Sequence, residues 1–287
     1  MNEKKNKYAV FTMDVEDFTD TECVRHSKVK TLPNMLDGLD EYIRFLEGYN
    51  IKATLFTVGK TMGAVKDNLK DYLSRGHKLA LHGYDHVAPV LMTDEQFRHD
   101  TLSAKKLLED TFDIEINGYR APCFSMDNSK LAILRDLGFR YDSSRMNFKK
   151  AYYYKELDLH GFQQPLSGVF LKDDFCEFAL PCQKFFGLNF PVSGGGYIRI
   201  GRWSFGIPMV HRYIRGNDYY VFYLHPFEFS KEKVPKLRDI NIFKRFYLSY
   251  GVRNYRRKIA NIIKTLSRNG YSFVTFDELS ERLLNPS

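Results

Sequence analysis

The sequence predicts an α/β protein built from parallel β/α units, and three observations predict it. Short β-prone apolar runs alternate with amphipathic stretches of helical length through the first half of the chain. Several of these runs end on polar, chemistry-bearing residues, which is where a barrel or doubly wound sheet carries its functional groups. At 287 residues, 44% apolar and 27% charged, the chain has the make-up of an ordinary globular protein that needs no disulfide staples.

Tyr8 to Met13 is an apolar run stopping at acids and reads as a buried strand. From Pro33 to Gly48, Met35, Leu36, Leu39, Tyr42, Ile43 and Leu46 recur at helical spacing. Ala53 to Val58 is the next strand, Val65 to Leu73 a helix stopped by Gly76, and His77 to Leu81 a third strand. A helix over 93–108, a strand over 114–119, a helix over 128–137 and a strand over 139–141 continue the alternation. Between Met146 and Tyr213 the rhythm breaks into Tyr, Phe, Gly and Pro, which predicts short strands and long loops inserted into a single domain spanning 1–287. The scaffold resumes with a strand over 219–224, a helix over 254–266, a strand over 271–276 and a helix over 277–284.

No run of about 20 apolar residues is present, and the first residues lack the apolar core of a secretory signal. The expected setting is therefore the cytoplasm, reaching to the inner membrane surface. Cys23, Cys123, Cys176 and Cys182 have no metal-type spacing and read as free thiols. The net charge of +8, concentrated in Lys244, Arg245, Arg253, Arg256, Arg257, Lys258, Lys264 and Arg268, is read as the solvated face of a helix, or as peripheral contact with an anionic membrane. No zinc finger, RNA-binding signature or aromatic-interleaved basic groove accompanies it, so nucleic acid is not an expected partner.

Four local patterns carry chemistry. His82-Gly83-Tyr84-Asp85-His86 follows a strand directly, and two histidines four apart on a tight turn converge on one metal. Asp14-Val15-Glu16-Asp17 places three carboxylates in four residues, which repel one another unless a cation compensates. Arg120, in Gly118-Tyr119-Arg120-Ala121-Pro122-Cys123, can hold one of those carboxylates through parallel hydrogen bonds. His225, in Leu224-His225-Pro226, stands at a strand end as a candidate general acid.

In type and order these residues resemble the polysaccharide deacetylase family, the NodB-type carbohydrate esterases. Asp14 to Asp17 resembles the first motif, His82 and His86 the second, Arg120-Ala121-Pro122 the third and Leu224-His225-Pro226 the last, with Asp142 in Tyr141-Asp142-Ser143-Ser144 at the supporting aspartate. Ser193-Gly-Gly-Gly-Tyr197-Ile-Arg199 and Tyr223-Leu-His-Pro-Phe-Glu228 look like the branch associated with exopolysaccharide loci. The resemblance implies an irregular, seven-stranded (β/α) barrel and a metal-dependent carbohydrate N-deacetylase. It also implies a divalent metal, zinc first with cobalt, nickel and manganese as alternatives, and an N-acetylated hexosamine substrate in a polysaccharide or a lipid- or nucleotide-linked precursor.

By the same resemblance Asp14 is the base, Arg120 holds it, His225 is the acid and Asp142 orients His225. Leu224 lines an acetyl pocket, Cys123 lies at the oxyanion site and Tyr197 contacts the sugar. His82 and His86 ligate the metal with an acid that the sequence leaves open. Asp17 preserves the usual residue type and is slightly favoured, whereas Glu16 shares a strand face with Asp14 if the extended conformation persists. Two other readings stand beside this one: an amidohydrolase of a small ureide-like compound, and a non-catalytic glycan-binding module using the aromatic residues of 146–213.

Overall fold

The computed structural model describes residues 6–25, 27–29, 31–147 and 155–285. β1 (Lys7–Val15), α1 (Asp37–Glu47), β2 (Ala53–Thr57), α2 (Met62–Ser74), β3 (Lys78–Leu81) and α3 (Asp94–Phe112) form the expected alternation. β4 (Gly118–Tyr119), α4 (Asn128–Asp136) and β5 (Tyr141–Asp142) continue it. Three short strands then follow, β6 (Gln163–Leu166), β7 (Val169–Lys172) and β8 (Phe175–Phe178), and after them the hairpin of β9 (Cys182–Phe185) and β10 (Leu188–Pro191). α5 (Gly195–Ile200), α6 (Gly206–Gly216), β11 (Tyr219–Phe222), α7 (Ile242–Ser249), α8 (Val252–Arg268), β12 (Tyr271–Phe273) and α9 (Phe276–Leu284) complete the chain.

Ten strands share one sheet in the order β11-β1-β2-β3-β4-β5-β8-β7-β6, with β12 paired to β1. From β11 to β8 every pairing is parallel, so seven strands curl into a half-barrel, the irregular (β/α) architecture the sequence implied. β7 and β6 then run back antiparallel along β8. At the seam between β8 and β11 the rings of Phe178 and Tyr219 stack with centroids 6.0 Å apart.

Side chains alternate along β1 as a pleated strand requires. Ala9, Phe11, Met13 and Val15 pack outward among the helices. Val10 faces the other way, into a second apolar cluster with Phe56, Tyr141, Phe178, Tyr219, Tyr223 and Phe276. Thr12 and Asp14 share Val10's parity, so the strand end aims a carboxylate into the curl of the sheet.

The structure departs from the expected elements in three places. The strand expected over 114–119 shrinks to two residues, because Glu109 accepts the Ile116 N–H and Lys105 donates to the Ile116 carbonyl. Side chains of α3 thus satisfy backbone that a strand neighbour would otherwise pair. Helices α5 and α6 stand where loops were expected. Gly195, Gly196 and Pro208 disguise them, although a proline in the first turn of a helix has no N–H to lose. α7 also went unread inside the basic stretch; it is capped by the Asn241 side chain on the Lys244 N–H at 2.8 Å. Cys176 and Cys182 are free thiols, as are Cys23 and Cys123. Among the described residues no helix is long and apolar enough to cross a membrane.

Two glycines make opposite predictions about stability. A Cβ at Gly38, in the first turn of α1, would lie 1.8 Å from the carbonyl oxygen of Pro226, beside the candidate acid. Backbone cannot rotate aside, so Gly38→Ala should cost about 1–3 kcal/mol. Gly63, exposed in α2, has nothing within 4 Å of its Cβ position. Gly63→Ala should therefore stabilise by about 0.5 kcal/mol through helix propensity. Denaturant melts of the two variants should shift in opposite directions.

Candidate active site

One cavity of about 330 Å³ is lined by Asp14, Glu16, His82, His86, Cys123, Phe124, Tyr197, Tyr223, His225 and Phe227, with Tyr247 and Leu248 of α7 among the rest of its wall. Its polar groups come from the ends of β1, β3 and β11 and from the turn after β4.

The floor is organised by Arg120, whose side chain has no solvent exposure. Its Nη1 donates to Asp14 Oδ1 at 2.7 Å and to Thr12 Oγ1 at 2.8 Å, while Nε and Nη2 donate to the carbonyl and hydroxyl of Ser143. The guanidinium lies 4.0 Å from the centroid of the Phe56 ring, which supplies a π face beneath it. The same residue reaches a second site group through its backbone. The Arg120 carbonyl lies 2.7 Å from His82 Nδ1 and takes its N–H, leaving Nε2 free to bind. Burial lowers His82 to about pH 4, so this imidazole is neutral and keeps its lone pair.

Donor atoms of Glu16, His82 and His86 lie within 4.8 Å of one another, and all three residues are buried. His86 Nε2 is 2.5 Å from Glu16 Oε2, and Arg25 steadies this turn by donating to the His86 carbonyl at 2.7 Å. His86 adopts φ 55°, a left-handed conformation that turns the chain back towards the strand end. Burial alone would raise the Glu16 carboxyl, but the imidazoles of His86 and His225 outweigh it and bring it down to about 2. Two imidazoles and one carboxylate facing one point are a donor set for a zinc-like divalent ion with open positions for water and substrate.

The acid facing the histidines is therefore Glu16. Asp17 is turned away: its Oδ1 accepts from the backbone and hydroxyl of Thr19, capping the short turn Phe18–Asp20. Extended backbone through Val15, which pairs with Thr57, keeps residue 16 on the inward side.

His225 sits across the cavity with Nε2 3.8 Å from Glu16 Oε1 and Nδ1 3.2 Å from Glu228 Oε2. Burial alone would lower this imidazole, yet Glu16 and Glu228 outweigh it and raise it to about 9. Glu228 is itself tied to Arg199 Nε at 2.7 Å, and Arg199 also donates to the carbonyls of Tyr247 and Tyr250 at 2.5 Å each. The carboxylate beside His225 is thus Glu228. Asp142 instead accepts from the hydroxyl and backbone of Ser144 and shares a hydrogen bond with Glu177. Burial raises Asp142 to about 6 and Glu177 well above the usual range, so the pair holds a proton. Asp142 supports Arg120 at one remove, since Ser144 Oγ accepts the Ala121 N–H.

Leu224 is buried behind the cavity, not on its wall, and its carbonyl accepts the Asp14 N–H at 2.9 Å. Phe124, Tyr223, Phe227 and Leu248 form the apolar wall instead. Cys123 lines the cavity at φ 57°, followed by Phe124 at φ 54°. Two successive non-glycine residues in the left-handed region are a strained turn of the kind that concentrates at functional sites. Burial pushes the Cys123 thiol up to about 12, so it is a protonated lining group. Tyr197 lines the cavity from α5, partly exposed. Glu228 and Arg199 were not read as site residues, though both close motifs that stood out in the sequence.

Residues 32–141 match the polysaccharide deacetylase family and residues 158–281 match DUF3473, a domain of unknown function. The peptidoglycan deacetylase of Helicobacter pylori is 29% identical over 117 residues, 41% of this chain and 40% of that protein. The match spans less than half the length of each curated relative it reaches. Among solved structures, a candidate polysaccharide deacetylase of Mycobacterium smegmatis aligns with a TM-score of 0.59 at 17% identity, covering 98% of this chain and 92% of that one. A carbohydrate esterase family 4 pseudoenzyme of Bacillus anthracis aligns at 0.55 and 11% identity, covering 97% and 66%. At these identities the structures establish the fold, the curled parallel half-barrel of the NodB type. The first match holds His82, His86 and Arg120, and the second holds Tyr197, Arg199, His225 and Glu228. Over residues 32–141 the chain is thus similar to the polysaccharide deacetylase family and over residues 158–281 to DUF3473, on a fold of the NodB type.

Proposed function

We propose that the protein is a metal-dependent hydrolase that removes the acetyl group from an N-acetylated hexosamine of a polysaccharide or its lipid- or nucleotide-linked precursor. The observation that carries the reading is the opposition, across one cavity, of an arginine-held carboxylate and a protonated imidazole, with Glu16, His82 and His86 between them. A binding module needs neither the base nor the acid, and a ureide hydrolase without metal has no use for three buried donors.

Glu16, His82 and His86 would hold the divalent metal, with zinc first among the ions this donor set suits and cobalt, nickel or manganese as alternatives. When bound, it supplies Lewis acidity to the acetamide oxygen and lowers the pKa of water. Asp14, steadied by Arg120, takes the proton of the attacking water as its oxygen bonds to the acetyl carbon. His225 Nε2 gives its proton to the amide nitrogen as the C–N bond breaks, releasing acetate and a free amine. Glu228 holds the imidazole through Nδ1, so only Nε2 faces the substrate. A backbone N–H near Cys123 steadies the developing oxyanion. Tyr197 offers a ring to the sugar, and the apolar wall around Phe124 and Tyr223 receives the acetyl methyl.

Four measurements test these assignments. Chelator should abolish acetate release from N-acetylhexosamine substrates, and adding back a divalent ion should restore it; activity that survives complete metal removal sinks the reading. Glu16→Gln should lose bound metal by elemental analysis, weakening affinity beyond the about 10–100-fold seen for outer-sphere changes. Asp17→Asn should stay metal-replete and active, and the reverse pattern would move the ligand to Asp17. Asp14→Asn should lower kcat by about 10²–10⁴ with metal retained. Glu228→Gln should lower kcat at unchanged KM, and by more than Asp142→Asn; a larger loss from Asp142→Asn would return the orienting role to that residue.

A further inference from the structure

We infer that α7 docks the protein onto an anionic membrane surface, bringing the cavity wall that the same helix builds to the bilayer; the substrate part of this inference rests on the deacetylase reading. α7 has two unlike sides. Tyr247 and Leu248 turn inward and line the cavity. Ile242, Phe243, Phe246 and, just beyond the helix, Tyr250 turn outward, 65%, 81%, 48% and 49% exposed. Phe246 and Tyr250 stack on each other with centroids 4.5 Å apart, so their apolar faces form one patch. A folded chain leaves a phenylalanine as bare as Phe243 only at a cost in apolar hydration, and a contiguous patch of this kind marks a contact surface.

Charge selects the partner. Between residues 231 and 257 the chain carries nine lysines and arginines against two acids, which accounts for most of its net +8. Lys231 and Arg256 are paired with Glu41, and Asp239 is engaged by Ser27 and the Lys28 backbone. Arg245, Arg253 and Arg257 are exposed, and Lys244 lies part-buried on α7 itself. A second copy of the chain meeting this patch about a two-fold axis would set the basic segment against itself. A nucleic acid would take the arginines but gives Ile242 and Phe243 nothing to enter. An anionic bilayer accepts both, apolar rings at the acyl boundary and cations among the headgroups. Docked this way, the wall formed by Tyr247 and Leu248 lies at the interface. The site would there meet an N-acetylated sugar carried on a lipid.

The test uses the full chain, metal-replete, in flotation with vesicles of phosphatidylcholine alone or with about 30% phosphatidylglycerol. Binding to the anionic vesicles and not to the neutral ones is expected. A triple variant, Ile242→Ser, Phe243→Ser and Phe246→Ser, should weaken that binding at least about tenfold. It should release acetate from short soluble N-acetylglucosamine oligomers at a rate within about twofold of the unmodified protein, because none of the three side chains lines the cavity. Absence of binding to anionic vesicles overturns the proposal, whatever the activity. So does a triple variant that binds as tightly as the unmodified protein, or binding that a DNA duplex competes away without regard to the apolar substitutions. Vesicle binding with no acetate release from any substrate leaves the docking surface standing and removes the deacetylase reading instead.

Discussion

The site depends on one buried cation. Arg120 has no exposure and spends its guanidinium on Asp14, Thr12 and Ser143, with Phe56 beneath it and its own carbonyl on His82. A desolvated charge of this kind tolerates no missing partner; breaking such a pair typically costs about 3–5 kcal/mol because the survivor stays buried and unpaired. The constraint therefore propagates. Asp14 must present Oδ1 to the guanidinium, which fixes its rotamer. His82 must offer its Nδ1 proton to a carbonyl, which fixes its tautomer and points Nε2 inward. The proposed base and one proposed metal ligand are thus set by one residue of the turn after β4, and their separation does not drift with the loops around them.

The His225 side of the cavity is built separately, from the second half of the chain. His225 is steadied by Glu228, and Glu228 by Arg199, which is anchored in turn on the carbonyls of Tyr247 and Tyr250. Arg199 reaches Glu228 only because α5 lies very close to β11. A Cβ at Gly194 would fall 2.1 Å from the Tyr223 carbonyl, and one at Gly196 would fall 2.3 Å from the Tyr247 ring. Lys258 of α8 then donates to the carbonyls at the end of α5, through Ile198 and Arg199. The glycine run is a spacing device that lets one helix deliver an arginine to the carboxylate behind His225. Each carboxylate in this chain of contacts is matched by a cation, which is why Glu228 lies below its usual range despite full burial.

Much of this was legible in the sequence, because strand-end residues are both patterned and chemically distinctive. The periodicity of Tyr8 to Met13 and Ala53 to Val58 located strands, and His82, His86, Arg120 and His225 followed strands closely enough to fall on one rim. Partnerships were less legible. Asp142 occupies the position that suggested a partner for His225, but which carboxylate reaches an imidazole depends on how β5, α5 and the turn after β11 meet. No local spacing encodes that meeting. Glu228 sits three residues beyond His225, in a short turn that returns it to the ring, and its motif stood out while its role did not. The helices α5 and α6 were hidden for a related reason: glycine and proline there serve close packing and a helix start, and local propensity cannot tell those uses from a loop.

The acid that faces the two histidines shows how a single residue of strand persistence redirects a side chain. Two adjacent acids at this point could both face inward only if the strand ended between them. Here β1 stays extended through Val15, which pairs with Thr57 and packs among the outer helices. An acid at position 15 would therefore be buried in apolar side chains with no cation near, a placement that costs several kcal/mol. The next inward position is 16, one residue further along the rim. A glutamate there has an extra methylene with which to reach back to His86, and Asp17, beyond the strand, is left to cap the following turn. The choice of Val15, Glu16 and Asp17 is thus one correlated solution: an apolar residue where the strand faces the helices, the longer acid where it faces inward, and the shorter acid where a turn needs a cap.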